Sequence, residues 1–246
     1  MQSWFISIIL ICAAVPASVR AEGESNSPLS ESEIAQHVDS LNYIQQAQQF
    51  VPRVAVVSPT VIRGSNPGPA GLELLKKAGV KTIVDLRYLN KQLDSVREQA
   101  RGMGLRYINI PMKHFDPISK EQIDKFMRTV TDRERQPVYV HCEQGKDRTS
   151  AMIAMYRMKE CGWTPTQAYR EMLSYDFHPL FRPMLVSVWS YSNKLGFNEP
   201  LPPFKDAVDD IERRYQVIMQ DYNTRTPSTN RGVDVKRLMR SVINNI

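Results

Sequence analysis

The chain of 246 residues has only three cysteines: Cys12, Cys142 and Cys161. Three cysteines cannot form the disulfide framework that stabilises small secreted domains, so the fold must depend on a hydrophobic core. Hydrophobic residues make up 42% of the chain, and its 11 glycines and 16 prolines are too few for a low-complexity sequence. The composition therefore excludes a disordered protein and indicates a globular one.

A strong charge of either sign is also absent. The chain has 32 Lys and Arg against 26 Asp and Glu, which gives a net charge of +6. This excess is too weak to indicate a nucleic-acid partner, because nucleic-acid-binding domains concentrate far more basic residues. It does favour anionic ligands slightly.

Long hydrophobic runs are lacking except near the N-terminus. Residues 4–15 are apolar apart from Ser7, and Ala17 and Ala21 supply small residues at the positions where a signal peptidase could cleave. The run is shorter than the roughly 20 residues of a membrane-spanning helix, and it is typical of a secretory signal peptide over residues 1–21. We therefore expect a secreted or periplasmic protein without a stable membrane span after cleavage. An uncleaved N-terminal anchor is the alternative.

The rest of the chain changes character twice. Residues 22–50 are polar and weakly patterned, which predicts a leader of low order. From Val54 onward, short β-branched runs alternate with amphipathic stretches, the pattern of an α/β fold with a mostly parallel central sheet flanked by helices. After Thr149 the pattern is helical, and residues 199–246 are expected to form a helical C-terminal extension. The predicted strands lie at residues 54–57, 81–86, 106–110 and 137–141.

Local signals place the helix starts. Ser119 with Gln122, and Thr164 with Gln167, have the spacing of capping boxes, in which each side chain accepts from the other residue's backbone N–H. The predicted helices lie at residues 70–78, 92–103, 120–131, 150–160, 167–174, 180–195 and 204–222.

The main candidate functional residues lie within residues 138–150. A buried strand leads to Cys142, a short loop containing Gly145 follows, and a helix begins after the loop. Loop amides and a helix N-terminus attract anions, and the same field favours the thiolate form of Cys142, which makes it a nucleophile. Arg148 can reach back across the loop and offer a planar pair of N–H donors to a phosphate group.

The spacing His-Cys-x5-Arg-Thr over residues 141–149 resembles the signature of the cysteine-dependent protein tyrosine and dual-specificity phosphatases. Segments at residues 62–68, 82–87 and 154–157 are similar as well. The chain is most similar to the small bacterial and atypical dual-specificity phosphatases, over a predicted domain of residues 51–198. The resemblance implies hydrolysis of phosphomonoesters through a phosphocysteine intermediate, with no metal and no other cofactor.

The resemblance also implies a role for each matching residue. Cys142 would attack phosphorus, Arg148 would bind the equatorial oxygens, and Thr149 would stabilise the departing thiolate. His141 would orient the loop, and Arg63 is a candidate for the pocket wall, with a surface ion pair as the alternative. Backbone N–H groups of the loop would bind the phosphate at Glu143, Gln144, Gly145, Lys146 and Asp147.

The family's general acid normally lies on the loop after the preceding strand. Asp116 stands at that place, although the family's Trp-Pro-Asp pattern is absent. Asp116 followed by Pro117 also fits a turn before a helix. Asp147 and His114 are the rival acids.

The sequence alone leaves open the substrate class and two other types of protein. Phosphotyrosine, phosphoserine and phosphothreonine proteins are the leading substrates, while the cationic Lys146 favours inositol polyphosphates or phosphoinositides as the alternative. A non-catalytic phosphate-binding module, or a sulfurtransferase or arsenate reductase, would also use an anion-binding loop with a cysteine. We expect a monomer in which Cys142 and Cys161 are free thiols.

Overall fold

The computed structural model describes residues 31–88 and 91–225. The expected signal peptide, Cys12 and the last 21 residues lie outside the described part of the chain. Five strands form one sheet. They are β1 (Ala55–Ser58), β2 (Val61–Gly64), β3 (Thr82–Asp85), β4 (Arg106–Asn109) and β5 (Val138–His141).

The strand order in the sheet is β1-β2-β5-β3-β4. The β1–β2 pair is antiparallel, and the other three pairs are parallel. The mostly parallel sheet predicted from the sequence is therefore confirmed. The described helices are α1 (Glu31–Ala47), α2 (Gly68–Lys77), α3 (Lys91–Gly102), α4 (Lys120–Thr131), α5 (Asp147–Glu160), α6 (Pro165–Ser174), α7 (Arg182–Lys194) and α8 (Lys205–Arg225).

Both predicted capping boxes are present. The Ser119 hydroxyl accepts from the Gln122 backbone N–H at the start of α4, and the Gln122 side chain accepts from the Ser119 backbone N–H. Thr164 and Gln167 repeat the arrangement at α6. These reciprocal bonds fix the start of α4 at the predicted residue and the start of α6 two residues before the predicted one.

Two parts of the chain differ from the sequence prediction. Residues 31–47 of the expected low-order leader form the helix α1, because Ile44 and Ala47 are buried in the core beside α2. The strand β2 was not predicted, since residues 61–64 contain only two β-branched residues before Arg63 and Gly64. Both elements depend on tertiary packing that local patterns do not show.

The helices cover both faces of the sheet. Ile62, Ile83 and Tyr139 lie side by side on β2, β3 and β5, and they form one core cluster with residues of α1, α2 and α3. Because side chains alternate between faces along a strand, Arg63 and Val140 point to the opposite face. There α5 packs against β2 and β5, with every residue from Asp147 to Met158 buried.

The three central strands end level with one another. Gly64 of β2 and Asp85 of β3 both pair in register with His141 of β5. In an open α/β sheet, this carboxyl edge is where ligand sites form. The loop after β5 therefore starts at the middle of that edge.

The chain divides into two compact units. Residues 178–180 and 200–246 form the second unit, whose described helix is α8. Within α8 the buried Asp210 carboxylate accepts from Arg214 Nε at 2.8 Å. Among the described residues, none of the helices combines the length and the apolar character that crossing a membrane requires.

Candidate active site

Cys142 lies directly after β5, at the carboxyl edge of the sheet. All four residues of β5 are buried, and Cys142 is only 2% exposed. Its thiol is free, as expected for a nucleophile. The state of Cys161, which directly follows α5, stays a prediction from the sequence.

Gly145 gives the loop its shape. Its backbone has a φ of +69°, a conformation that side chains disfavour. A Cβ atom at this position would also lie 2.6 Å from the Gly64 carbonyl carbon and 2.7 Å from the Gly64 oxygen. The backbones of the loop and of β2 are therefore in direct contact, and any residue larger than glycine would force them apart.

Arg148 and Thr149 present polar groups that the protein itself leaves unused. Arg148 is buried, and its Nη1 donates to the Met112 carbonyl at 3.4 Å. Its Nε and the Thr149 hydroxyl are also buried, and neither has a hydrogen-bond partner within the described residues. Because buried donors normally have partners, these two groups in the first turn of α5 are suited to an anion bound at the helix N-terminus.

Arg63 lies on β2 and contacts the backbone of the loop after β5. It is 1% exposed, and its Nη2 donates to the Gly145 carbonyl at 3.0 Å and to the Ser150 hydroxyl at 2.7 Å. Its guanidinium stacks on Tyr175, with 3.5 Å between Cζ and the ring centroid. Burial lowers the pKa of Arg63. The alternative of a surface ion pair is wrong, and the contacts make Arg63 a support for the loop backbone.

A buried ion-pair network supports the same loop from β3. Arg87 donates through Nη2 to Asp85 Oδ2 at 2.7 Å, and its Nη1 reaches the Glu143 carboxylate at 3.1 Å. The Tyr107 hydroxyl donates to the same Asp85 oxygen at 2.8 Å. Burial alone would raise the pKa of Asp85, but the facing His141 ring and the Arg87 guanidinium outweigh it, so the pKa is lowered. The role of Arg87 could not be predicted from the sequence, because Arg87 and its partner Glu143 lie 56 positions apart.

His141 joins this network to the nucleophile. Its Nδ1 lies 3.0 Å from the Cys142 carbonyl, and its Nε2 lies 3.6 Å from Asp85 Oδ2. Burial lowers the pKa of His141, so the ring is neutral at physiological pH and Nδ1–H donates to the carbonyl. The orienting role of His141 stays a prediction from the sequence.

The candidate acid Asp116 lies on the loop of residues 111–118. Its side chain is 59% exposed, and Lys113 Nζ lies 3.6 Å from its carboxylate. The loop is fixed at its end, where the Ile118 backbone N–H donates to the Ser187 hydroxyl at 2.9 Å. At the tip, Phe115 packs edge-on against Phe181 at 5.1 Å between ring centroids.

The structure separates the three candidate acids by environment. His114 stacks on Phe181 with 5.1 Å between centroids, and Asp147 is buried at the first residue of α5. Of the two candidate carboxylates, Asp116 is exposed and Asp147 is buried. Its role, like the roles of Cys142 and Arg148, stays a prediction from the sequence. Within the described residues no group of three or more His, Cys, Asp and Glu could hold a metal ion.

Several curated proteins resemble this chain. It is 35% identical over 99 residues to the probable NAD kinase 2, chloroplastic, of Oryza sativa subsp. japonica, covering 39% of this chain and 10% of that protein. It is 31% identical over 117 residues to the dual specificity protein phosphatase TpbA of Pseudomonas aeruginosa strain UCBPP-PA14, covering 47% of this chain and 51% of that protein. The chain thus spans about half or less of the length of these relatives.

One solved structure and one family model complete the comparison. A putative phosphatase from Shewanella putrefaciens CN-32 has the same fold, with a TM-score of 0.52 and 20% identity, covering 61% of this chain and 94% of that one. The model of a DSP-PTPase phosphatase fused to NAD+ kinase matches residues 43–179, which is more than half of the 246 residues. The chain therefore belongs to this family of cysteine-dependent dual-specificity phosphatases.

Proposed function

We propose that this protein hydrolyses phosphomonoesters of phosphorylated proteins through a phosphocysteine intermediate. The observation that carries the proposal is a pair of buried donors, Arg148 Nε and the Thr149 hydroxyl, which have no hydrogen-bond partner within the described residues and which follow the free thiol of Cys142 along the chain. Their placement at a helix N-terminus and a glycine-shaped loop is suited to a tetrahedral dianion.

The first step transfers the phosphoryl group to the enzyme. The Cys142 thiolate attacks phosphorus, the S–P bond forms, and the P–O bond to the leaving group breaks. Asp116 gives its proton to the leaving oxygen, which departs as an alcohol or phenol. Arg148 binds two of the phosphoryl oxygens in a bidentate manner while their charge is redistributed.

The second step regenerates the enzyme. The Asp116 carboxylate takes a proton from water, the water oxygen attacks phosphorus, and the S–P bond breaks to release inorganic phosphate. The Thr149 hydroxyl donates to the departing Cys142 thiolate and stabilises it. The arrangement requires no cofactor.

A steady-state assay of the full chain with p-nitrophenyl phosphate tests this proposal, with Cys142→Ser as the matched variant. We expect turnover that the substitution abolishes. Turnover that persists in Cys142→Ser would overturn the proposal, and so would its absence in the unmodified chain. Thiosulfate or arsenate turnover without phosphatase activity would identify a sulfurtransferase or a reductase.

A polyanionic substrate is the second candidate, because Lys146 adds a cation within the loop itself. A panel of a phosphotyrosyl peptide, a phosphothreonyl peptide, a phosphoinositide and inositol hexakisphosphate separates the classes. Preference for the peptides supports the protein phosphatase, and preference for the inositol compounds supports the alternative.

We also propose export and a monomeric state. Export is supported by the apolar residues 4–15, followed by the small residues Ala17 and Ala21. N-terminal sequencing of protein recovered from the periplasm or medium should find cleavage after Ala17 or Ala21. A retained N-terminus on membrane-bound protein would indicate the anchor instead, and light scattering checks the mass of one chain.

A further inference from the structure

An ion pair at the rim of the loop joins two residues with unusual backbones. Among the described residues, Arg53 with a φ of 59° and Asp176 with a φ of 62° are the two non-glycine positions of positive φ. They lie 123 positions apart, yet Arg53 Nη2 donates to Asp176 Oδ2. A positive φ is strained for arginine, and such strain concentrates at functional sites. The coincidence suggests more than an ordinary surface ion pair.

A second cation shares the same carboxylate. Lys146 Nζ lies 3.7 Å from Asp176 Oδ2, and Lys146 is itself a residue of the predicted phosphate-binding loop. Arg53 also contacts the loop, because its Nη1 donates to the Gln144 carbonyl at 3.4 Å. Two cations attached to the loop therefore face one carboxylate, whose side chain is 49% exposed.

We propose that Arg53 and Lys146 form a second anion subsite beside the loop, for a second phosphoryl group on the same substrate. The preferred substrates would then carry closely spaced phosphoryl groups, as soluble inositol polyphosphates and the headgroups of polyphosphoinositides do. This inference rests on the proposed phosphatase activity and favours the second substrate candidate, a polyanion, over phosphorylated proteins.

The Asp176 carboxylate acts as the internal competitor for this subsite. A phosphoryl group carries more charge than a carboxylate and offers three oxygens, so it can displace Asp176 from both cations. A substrate with one phosphoryl group lacks the means to do so. The carboxylate therefore raises selectivity, because a ligand must displace it from both cations before it can bind at the subsite.

Inhibition of p-nitrophenyl phosphate hydrolysis by the full chain tests the subsite. The measured quantity is the inhibition constant of inorganic phosphate divided by that of inositol hexakisphosphate. Arg53→Gln should lower this ratio about tenfold and Asp176→Asn should raise it several-fold, as one charge-assisted hydrogen bond implies. Asparagine tolerates positive φ as well as aspartate does, so Asp176→Asn keeps its backbone.

The ion pair of Arg135 with Asp132 supplies matched controls. Its Nε and Oδ2 lie 2.7 Å apart, ahead of β5 and therefore at the opposite end of that strand from Cys142. Arg135→Gln and Asp132→Asn change the net charge equally, and should leave the ratio within about twofold because distant exposed charges are screened. Ratios that move equally in both sets, or stay constant in both, would overturn the subsite.

Two further arms complete the test. In the first, phosphatidylcholine vesicles containing phosphatidylinositol bisphosphate replace inositol hexakisphosphate as the inhibitor. If Arg53→Gln weakens inhibition by the vesicles alone, the subsite binds lipid headgroups. If it weakens inhibition by inositol hexakisphosphate alone, the subsite binds soluble compounds. If the unmodified chain does not turn over p-nitrophenyl phosphate, the proposed function fails, and titration calorimetry with the same two anions decides the subsite separately.

Discussion

The two loops at the carboxyl edge of the sheet are built in opposite ways. The loop after β5 is held from behind by Arg63, from the side by Arg87 and in its centre by backbone contact at Gly145. The loop of residues 111–118 is fixed near its ends, while its tip exposes Phe115 and Asp116.

The difference indicates a division of labour. A site that must stabilise charge gains from donors that are already in place, because they need no reorganisation during the reaction. A residue that delivers and recovers a proton needs access to both the leaving group and water, which an exposed loop provides. We therefore expect substitutions behind the first loop to affect stability as well as activity, and substitutions at the second loop's tip to affect activity alone.

The largest expected effect comes from Arg148→Lys. Lysine keeps the charge but cannot form the bidentate contact, so kcat/KM for p-nitrophenyl phosphate should fall roughly a hundredfold to a thousandfold. Arg128→Lys, an exposed position on α4, is the control and should leave kcat/KM unchanged. Equal losses in the two variants would show that the fork geometry of Arg148 does not matter.

Removing Arg87, the buried arginine at the side of the loop, should affect folding strongly. Arg87→Gln leaves the Asp85 carboxylate buried without its partner, and the free energy of unfolding should fall by about 3 kcal/mol. Glu143→Gln removes only the half-exposed partner and should cost less than about 1 kcal/mol. Urea denaturation measures both. Similar losses would mean that the network does not stabilise the loop through Asp85.

Asp116→Ala tests the exposed loop of residues 111–118. Without the acid, kcat for phosphoserine should fall about a hundredfold, while p-nitrophenyl phosphate, whose leaving group needs no proton, should lose far less. Stability should stay unchanged, as for the control Asp124→Ala on α4. Equal losses on both substrates would remove Asp116 from the role, and this pattern in Asp147→Asn would assign the acid to Asp147.

The smallest effect concerns pH. Burial lowers the folded-state pKa of His141, so the unfolded chain binds its proton first as pH falls below about 6.5. The free energy of unfolding should therefore rise with pH up to that value, by at most about 1.4 kcal/mol per pH unit. Asp85 contributes only at lower pH, since its pKa is lowered from an already acidic value.

Two variants isolate the histidine. His141→Gln should flatten the pH dependence of the unfolding free energy between about pH 5 and 6.5, whereas the exposed His37→Gln should preserve it. A slope that survives in His141→Gln would have to come from another group.

The sequence predicted the elements whose signals are local. Capping boxes mark the starts of the helices α4 and α6. The residues from Cys142 to Thr149 are contiguous, so their pattern can also be recognised within one short stretch of sequence. The sequence did not reveal α1 or β2, because each becomes regular only through distant packing. The same reason explains the missed partners of the loop: Arg63 meets Tyr175, and Arg53 meets Asp176, across more than a hundred positions.

The most direct test of the central claim is the mass of the peptide that contains Cys142. The reaction of the full chain with p-nitrophenyl phosphate should be quenched rapidly in acid during turnover, and the protein should then be digested to peptides with a protease. The account predicts an adduct with the mass of one phosphoryl group on Cys142, which disappears in Cys142→Ser. Turnover without any adduct at Cys142, or an adduct with the mass of one sulfur atom after exposure to thiosulfate, would contradict it.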